Sequence, residues 1–261
     1  MNNKRKQLLF ALAGVCLLAG CGGEKADTEG QEMTRATVVK DLLGGTYFVD
    51  EEGTLFKIEN LDSKVKEDLG AGDTVEIYGN GYIASRDPYP GVYSSVTKVT
   101  QVADGTEEDA AAYQEQLDML YENPDPEELP KMKLEYSSET DEGPLLLEPF
   151  NFEWQHSDGM GSYGVSSHGI SIFECEEIAR IDLDGKTEMK LYFAGKMDSV
   201  TAVRWPSELW GTATAEEAGD GEEVALTEEE KAAISAAESG YVYQITATRP
   251  EGYVEFAFLT E

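Results

Sequence analysis

From residue 33 onward the chain is written in short runs of β-branched and aromatic residues, cut every few positions by Gly, Asp or Pro. This rhythm limits the fold more than any other feature, because two-residue alternation so often interrupted builds strands and turns rather than long helices. Residues 34–42 alternate, with Ala36 and Val38 on one side, and Gly44-Gly45 breaks the run. Thr46-Tyr47-Phe48-Val49 and Thr54-Leu55-Phe56-Lys57-Ile58 flank Asp50-Glu51-Glu52-Gly53, a hairpin signature. Residues 61–69 have room for a turn or two of helix. Thr74-Val75-Glu76-Ile77-Tyr78-Gly79 and residues 92–102 follow. Five short strands with one helical insert predict a small Greek-key β-barrel over residues 33–104.

Residues 105–131 read as a helix and linker. Thr106 is a suitable N-cap before Glu107, Glu108 and Asp109, and residues 110–121 are strong helix formers with Tyr113, Leu117, Leu120 and Tyr121 on one face, which predicts packing against the barrel. Asn123-Pro124-Asp125-Pro126 ends the helix. Residues 132–261 return to strands, seven or so, which favours a β-sandwich. Residues 240–248 and 253–259 are joined by a tight turn through Arg249-Pro250-Glu251-Gly252, with Val254, Phe256 and Phe258 facing inward. An acidic insert at 215–223 precedes Thr227-Glu228-Glu229-Glu230, read as a capping box opening a short helix to Ser239. In residues 200–205, Thr201, Val203 and Trp205 share one face, and Trp205 is expected in a core rather than on an exposed platform.

Two resemblances bear on this reading. The segment "YFVDEEGTLFKI" with "LGAGDTVEIYGNGYIASRDPYPGVYSSVTKV" resembles the small OB-fold-like domain of uncharacterised Gram-positive bacterial lipoproteins, its most characteristic feature being Gly72-Asp73-Thr74-Val75 entering a strand. "MKLYFAGKMDSVTAVRW" with "GYVYQITATRPEGYVEFAF" resembles an Ig-like C-terminal module of such lipoproteins, with Phe193, Val200, Trp205, Tyr241 and Tyr243 as packing positions and Arg249 standing where an aromatic is usual. Together they imply an all-β chain: an OB-like barrel, a linker helix and an Ig-like sandwich.

The N-terminus fixes location. Lys4-Arg5-Lys6, an apolar run over residues 8–18 and Leu18-Ala19-Gly20-Cys21 form a lipoprotein signal peptide, residues 1–20, too short to span a bilayer. The Cys21 thiol is the nucleophile that takes a diacylglyceryl group, and two acyl chains anchor stably where one is marginal. The mature protein is thus expected on the extracytoplasmic side of the cell membrane, with residues 21–32 as a flexible, Gly- and charge-rich tether. Cys16 leaves with the signal peptide, so only Cys175 remains and no internal disulfide forms; between Glu174 and Glu176 it reads as a structural thiol.

With 20 Lys+Arg against 52 Asp+Glu the net charge is −32, and loss of the first 20 residues makes it −35. Such a surface stays soluble, repels nucleic acid and favours cationic partners. No cofactor motif, metal-ligand cluster or nucleophile elbow occurs; Asp182-Leu183-Asp184-Gly185 starts like a calcium loop but reads as a turn. Tyr82, Arg86, Tyr89 and Tyr93 are the candidates for a binding face on the barrel, or else loop tyrosines of a structural barrel. Two functions follow: a non-catalytic, lipid-anchored protein binding an extracytoplasmic protein or small ligand, or an envelope hydrolase using His156 or His168 with carboxylates of the second domain. A concave pocket gathering a histidine with carboxylates separates them.

Overall fold

The structure, a computed structural model, describes residues 28–85, 90–157, 160–167, 169–227 and 232–261. The segment expected as a signal peptide, Cys21 and the start of the expected tether lie outside the described residues. The chain is mainly β and divides into two compact units: one reaches Gln116, and the other comprises Leu117–Glu261 together with the turn Asp41–Gly45.

In the first unit, β1 (Glu32–Lys40), β2 (Thr46–Asp50) and β3 (Leu55–Ile58) form an antiparallel meander. After α1 (Ser63–Asp68), β4 (Thr74–Gly79) returns beside β1, β5 (Gly91–Tyr93) pairs parallel with β3, and β6 (Val96–Ala103) pairs antiparallel with β4. Only Ser94 and Ser95 separate β5 from β6, so one bent strand joins both ends of the sheet and closes it. This is the OB order, with a helix between the third and fourth strands. Ala36, Val38, Phe48, Phe56, Val75, Ile77 and Tyr93 fill the interior, and Leu69 of the α1 segment closes one side of it.

The Gly72-Asp73 motif has a structural cause. Buried Asp73 accepts from Gly70 N at 2.7 Å and from Gly105 N at 2.9 Å, tying the loop after α1 to the start of α2 (Glu107–Ala111). Gly72 has φ +88°, and a Cβ there would stand 2.0 Å from the Thr106 carbonyl oxygen. The predicted single helix is two: α2, opened by a Thr106/Asp109 capping box, and α3 (Gln114–Glu122), with Tyr113 between them accepting from Thr37 Oγ1 at 3.4 Å.

The second unit is a sandwich. Its strands are β7 (Met132–Tyr136), β8 (Leu145–Leu147), β9 (Asn151–Ser157), β10 (Ser162–Ser166), β11 (Ala179–Ile181), β12 (Thr187–Phe193), β13 (Ser199–Pro206), β14 (Glu222–Val224), β15 (Leu226–Thr227), β16 (Ala233–Ala237), β17 (Tyr241–Arg249) and β18 (Gly252–Thr260). One sheet runs β15-β16-β12-β7-β8 and the other β10-β9-β18-β17-β13-β14, with β11 parallel to the end of β18. Lettered by their order along the chain, β7, β12, β16 and β15 make the A-B-E-D sheet of an immunoglobulin-type sandwich, and β13, β14, β17 and β18 its C-C′-F-G strands; residues 145–181 are inserted between A and B. Tyr243 forms the tyrosine corner of that fold: its hydroxyl accepts from Glu238 N at 2.9 Å and donates to Glu238 O at 3.3 Å. Leu134, Met189, Leu191, Trp154, Ile245, Val254, Phe256 and Phe258 lie in the inter-sheet core.

Three expectations change. The Ala-rich stretch before Ser239 is not helical over Ala233–Ala237 but a strand between β15 and β12, because burying Ala233, Ile234 and Ala237 overrides helix propensity; residues 228–231 lie outside the described residues. Residues 117–131, the later part of the expected helix and linker, belong to the second unit, where the Trp154 indole donates to Pro126 O at 2.8 Å. Arg249, the departure from an aromatic, is buried against Trp154, 5.7 Å from its ring, and Nε donates to Lys196 O at 3.1 Å.

Candidate functional site

The outer face of the larger sheet is roofed by chain. Trp205 of β13, Val242 of β17 and Ala257 of β18 pack beneath Ile172 and Phe173, which sit in a short 3₁₀ turn capped by Ser171, and beside Leu209 and Trp210 from the segment after β13. Trp205 and Phe173 meet edge to face at 5.4 Å, and the Trp205 indole donates to Gly219 O at 3.0 Å, just after α4 (Ala215–Ala218). The faces of β13 divide as predicted, yet the Trp205 side is the outer one and Ala202 occupies the inter-sheet core.

The two roofing segments part over β9, β18 and β17 and leave a cleft of ≈ 280 Å³. Its floor is polar. Register sets Glu255 between Asn151 and Thr246 on neighbouring strands, with Gln244 two positions along β17. Asn151 Nδ2 donates to Glu255 Oε2 at 2.7 Å; Gln244 Nε2 and Thr246 Oγ1 donate to Oε1 at 2.9 and 3.4 Å. Ser167 Oγ in turn donates to Asn151 Oδ1, so the amide is held from behind. The walls are Ile170, Phe173 and Trp205, and the rim carries Ala215 and Gly219. A carboxylate so oriented, at the foot of apolar walls, is a fixed acceptor for a small ligand.

The predicted candidates fall elsewhere. Tyr82 is 66% exposed in the loop between β4 and β5, which corresponds to a loop OB folds use for ligands. Tyr93 is not on a face: it is fully buried in the barrel, its hydroxyl accepting from Gly81 N at 2.8 Å, because a β5 side chain directed inward is needed to close the interior. Arg86 and Tyr89 lie outside the described residues, as does Cys21. His156 stacks on Tyr163 at 5.6 Å on the opposite face of β9 from Asn151 and does not line the cleft; His168 lies outside the described residues. Cys175 is half-buried, and burial, then Glu174, pushes its thiol up, in keeping with a structural role. Asp184 serves its turn by accepting from Glu139 N at 3.1 Å, and among the described residues no three His, Cys, Asp or Glu side chains are placed to hold a metal.

Sequence reasoning missed Asn151, Gln244 and Glu255. Alternation did mark Gln244 and Glu255 as outward positions, but so it marks every second strand residue; only the pairing of the distant β9 with the β17–β18 hairpin brings Asn151 to them. Comparison of the chain with known protein families, with curated proteins and with solved structures found no match.

Proposed function

We propose that this is a non-catalytic, lipid-anchored extracytoplasmic binding protein of the Gram-positive lipoprotein kind, tethered through diacylglyceryl-Cys21, whose sandwich presents the cleft over Glu255 to a small ligand. The observation that carries the reading is the cleft floor, where three side chains from two flanking strand positions and a diagonal one fix a single carboxylate under apolar walls. Binding is what this set can do: its polar groups are arranged as acceptor and supports, and no nucleophile–base pair lines the cleft among the described residues. The lipobox and the Gly- and charge-rich sequence after it support the anchor, and among the described residues no helix is long and apolar enough to cross a membrane.

The anchor is tested by Cys21→Ser, which keeps size and removes the sulfur nucleophile. Labelled fatty acid should no longer enter the protein, and the chain should leave the membrane fraction on cleavage or remain as unprocessed precursor. Label incorporated at the wild-type level overturns the anchor.

A further inference from the structure

Resting on the reading that the cleft is a ligand site, we propose that it takes a small organic ammonium lacking a carboxylate. The donors of the floor converge on the carboxylate: one N–H of each amide and the Thr246 hydroxyl point at Glu255, and Ser167 points at Asn151. A carboxylate offers about four lone-pair sites, so Glu255 keeps acceptor capacity after these three bonds, and the Gln244 carbonyl oxygen adds more. What Glu255 offers a ligand is acceptance, and what it asks for is a donor.

Charge narrows the class. The lining includes no Lys or Arg, so filling the cleft with a neutral body would leave Glu255 desolvated without a counter-charge, whereas an ammonium supplies both the proton donor and the charge. The Phe173 and Trp205 rings in the wall give the alkyl part of such a cation an apolar surface to pack on. An anion would meet the Glu255 carboxylate with no Lys or Arg in the lining to offset it. An amino acid is disfavoured for the same reason, since its carboxylate would be buried beside Glu255 without a cationic partner. The cleft volume suits a body of a few heavy atoms, and a chain of net charge −32 raises the local concentration of cations around it.

The test uses the whole mature chain and three probes of one shape: n-butylammonium, n-butanol and n-butyrate. The readout is the NMR signals of the Asn151 and Gln244 side-chain amides and the Trp205 indole N–H. n-Butylammonium should shift all three saturably, n-butanol far less and n-butyrate not at all. Glu255→Gln should weaken n-butylammonium by about tenfold or more, the loss expected for a charge-assisted hydrogen bond. Should that variant misfold, Ala215→Lys decides: Ala215 is exposed at the rim, and a lysine there places a resident ammonium over the cleft and should block the probe while signal dispersion is kept. Equal binding of n-butanol, with Glu255→Gln and Ala215→Lys indifferent, overturns the ammonium and leaves the cleft as a ligand site. Signals unmoved by every probe overturn the ligand site itself.

Discussion

At the scale of single residues, burial and hydrogen bonding set the conditions under which the second unit holds. Tyr136 is the clearest case: burial first, then the hydrogen bond from its hydroxyl to Asp141 at 3.0 Å, pushes its phenol from 10.0 up to about 12. The folded protein therefore holds this proton more tightly than the unfolded chain. Its contribution is complete below about pH 10 and drains away as pH rises through about 12. Denaturant midpoints followed upward from pH 9 should fall more steeply in the wild type than in Tyr136→Phe, and parallel curves would remove Tyr136 from the linkage. Trp205 is a residue of packing as well as a cleft wall: it is 8% exposed, its ring meets Phe173, and its N–H is satisfied by Gly219 O. Trp205→Ala should cost about 3–5 kcal/mol, read as a lowered unfolding midpoint of the second unit. An unchanged midpoint would return Trp205 to the surface.

At the scale of elements, the chain shows plainly which parts of a fold are written locally. The hairpin at Asp50-Glu51-Glu52-Gly53 was legible because its chemistry is self-contained: Asp50 Oδ1 accepts from Glu52 N and Thr54 N, and Gly53 supplies φ +84°. The β17–β18 turn was legible for a like reason, since Arg249 pairs with Gly252 across Pro250-Glu251 and the inward set Val254, Phe256, Phe258 follows by alternation. The strand over Ala233–Ala237 was not, because nothing in an Ala-rich run announces that two strands will close around it. Nor was the roof over the outer face: Ile172–Glu174 is a 3₁₀ turn whose Ser171/Glu174 capping box holds Ile172 and Phe173 down onto Trp205. A sheet whose two faces are both buried gives its outward positions apolar residues such as Val203 and Trp205, which alternation alone assigns to one core. The cleft depends on that roof, so it was hidden for the same reason.

At the scale of the whole molecule, the division into units falls within α3, after Gln116, rather than at the Pro-containing segment beyond it. That segment is part of the sandwich. Pro126 O receives the buried Trp154 indole, Glu122 Oε2 accepts from Lys196 Nζ at 2.7 Å, and Lys196 N donates to Tyr121 O at 2.9 Å. The exposed Glu122–Lys196 pair adds little by itself, but the indole bond is made inside a core, where an unpaired donor costs about 1–3 kcal/mol. Two fragments therefore should differ. Residues 114–261 keep every one of these partners, whereas residues 132–261 begin at β7 and leave the Trp154 N–H buried with nothing to receive it. Thermal unfolding should place the shorter fragment lower by several degrees, roughly 2–8 °C for a loss of that size, with the Trp154 amide neighbourhood exchanging faster. Equal melting of the two fragments would show the segment to be a linker after all, and would move the boundary from α3 to Met132.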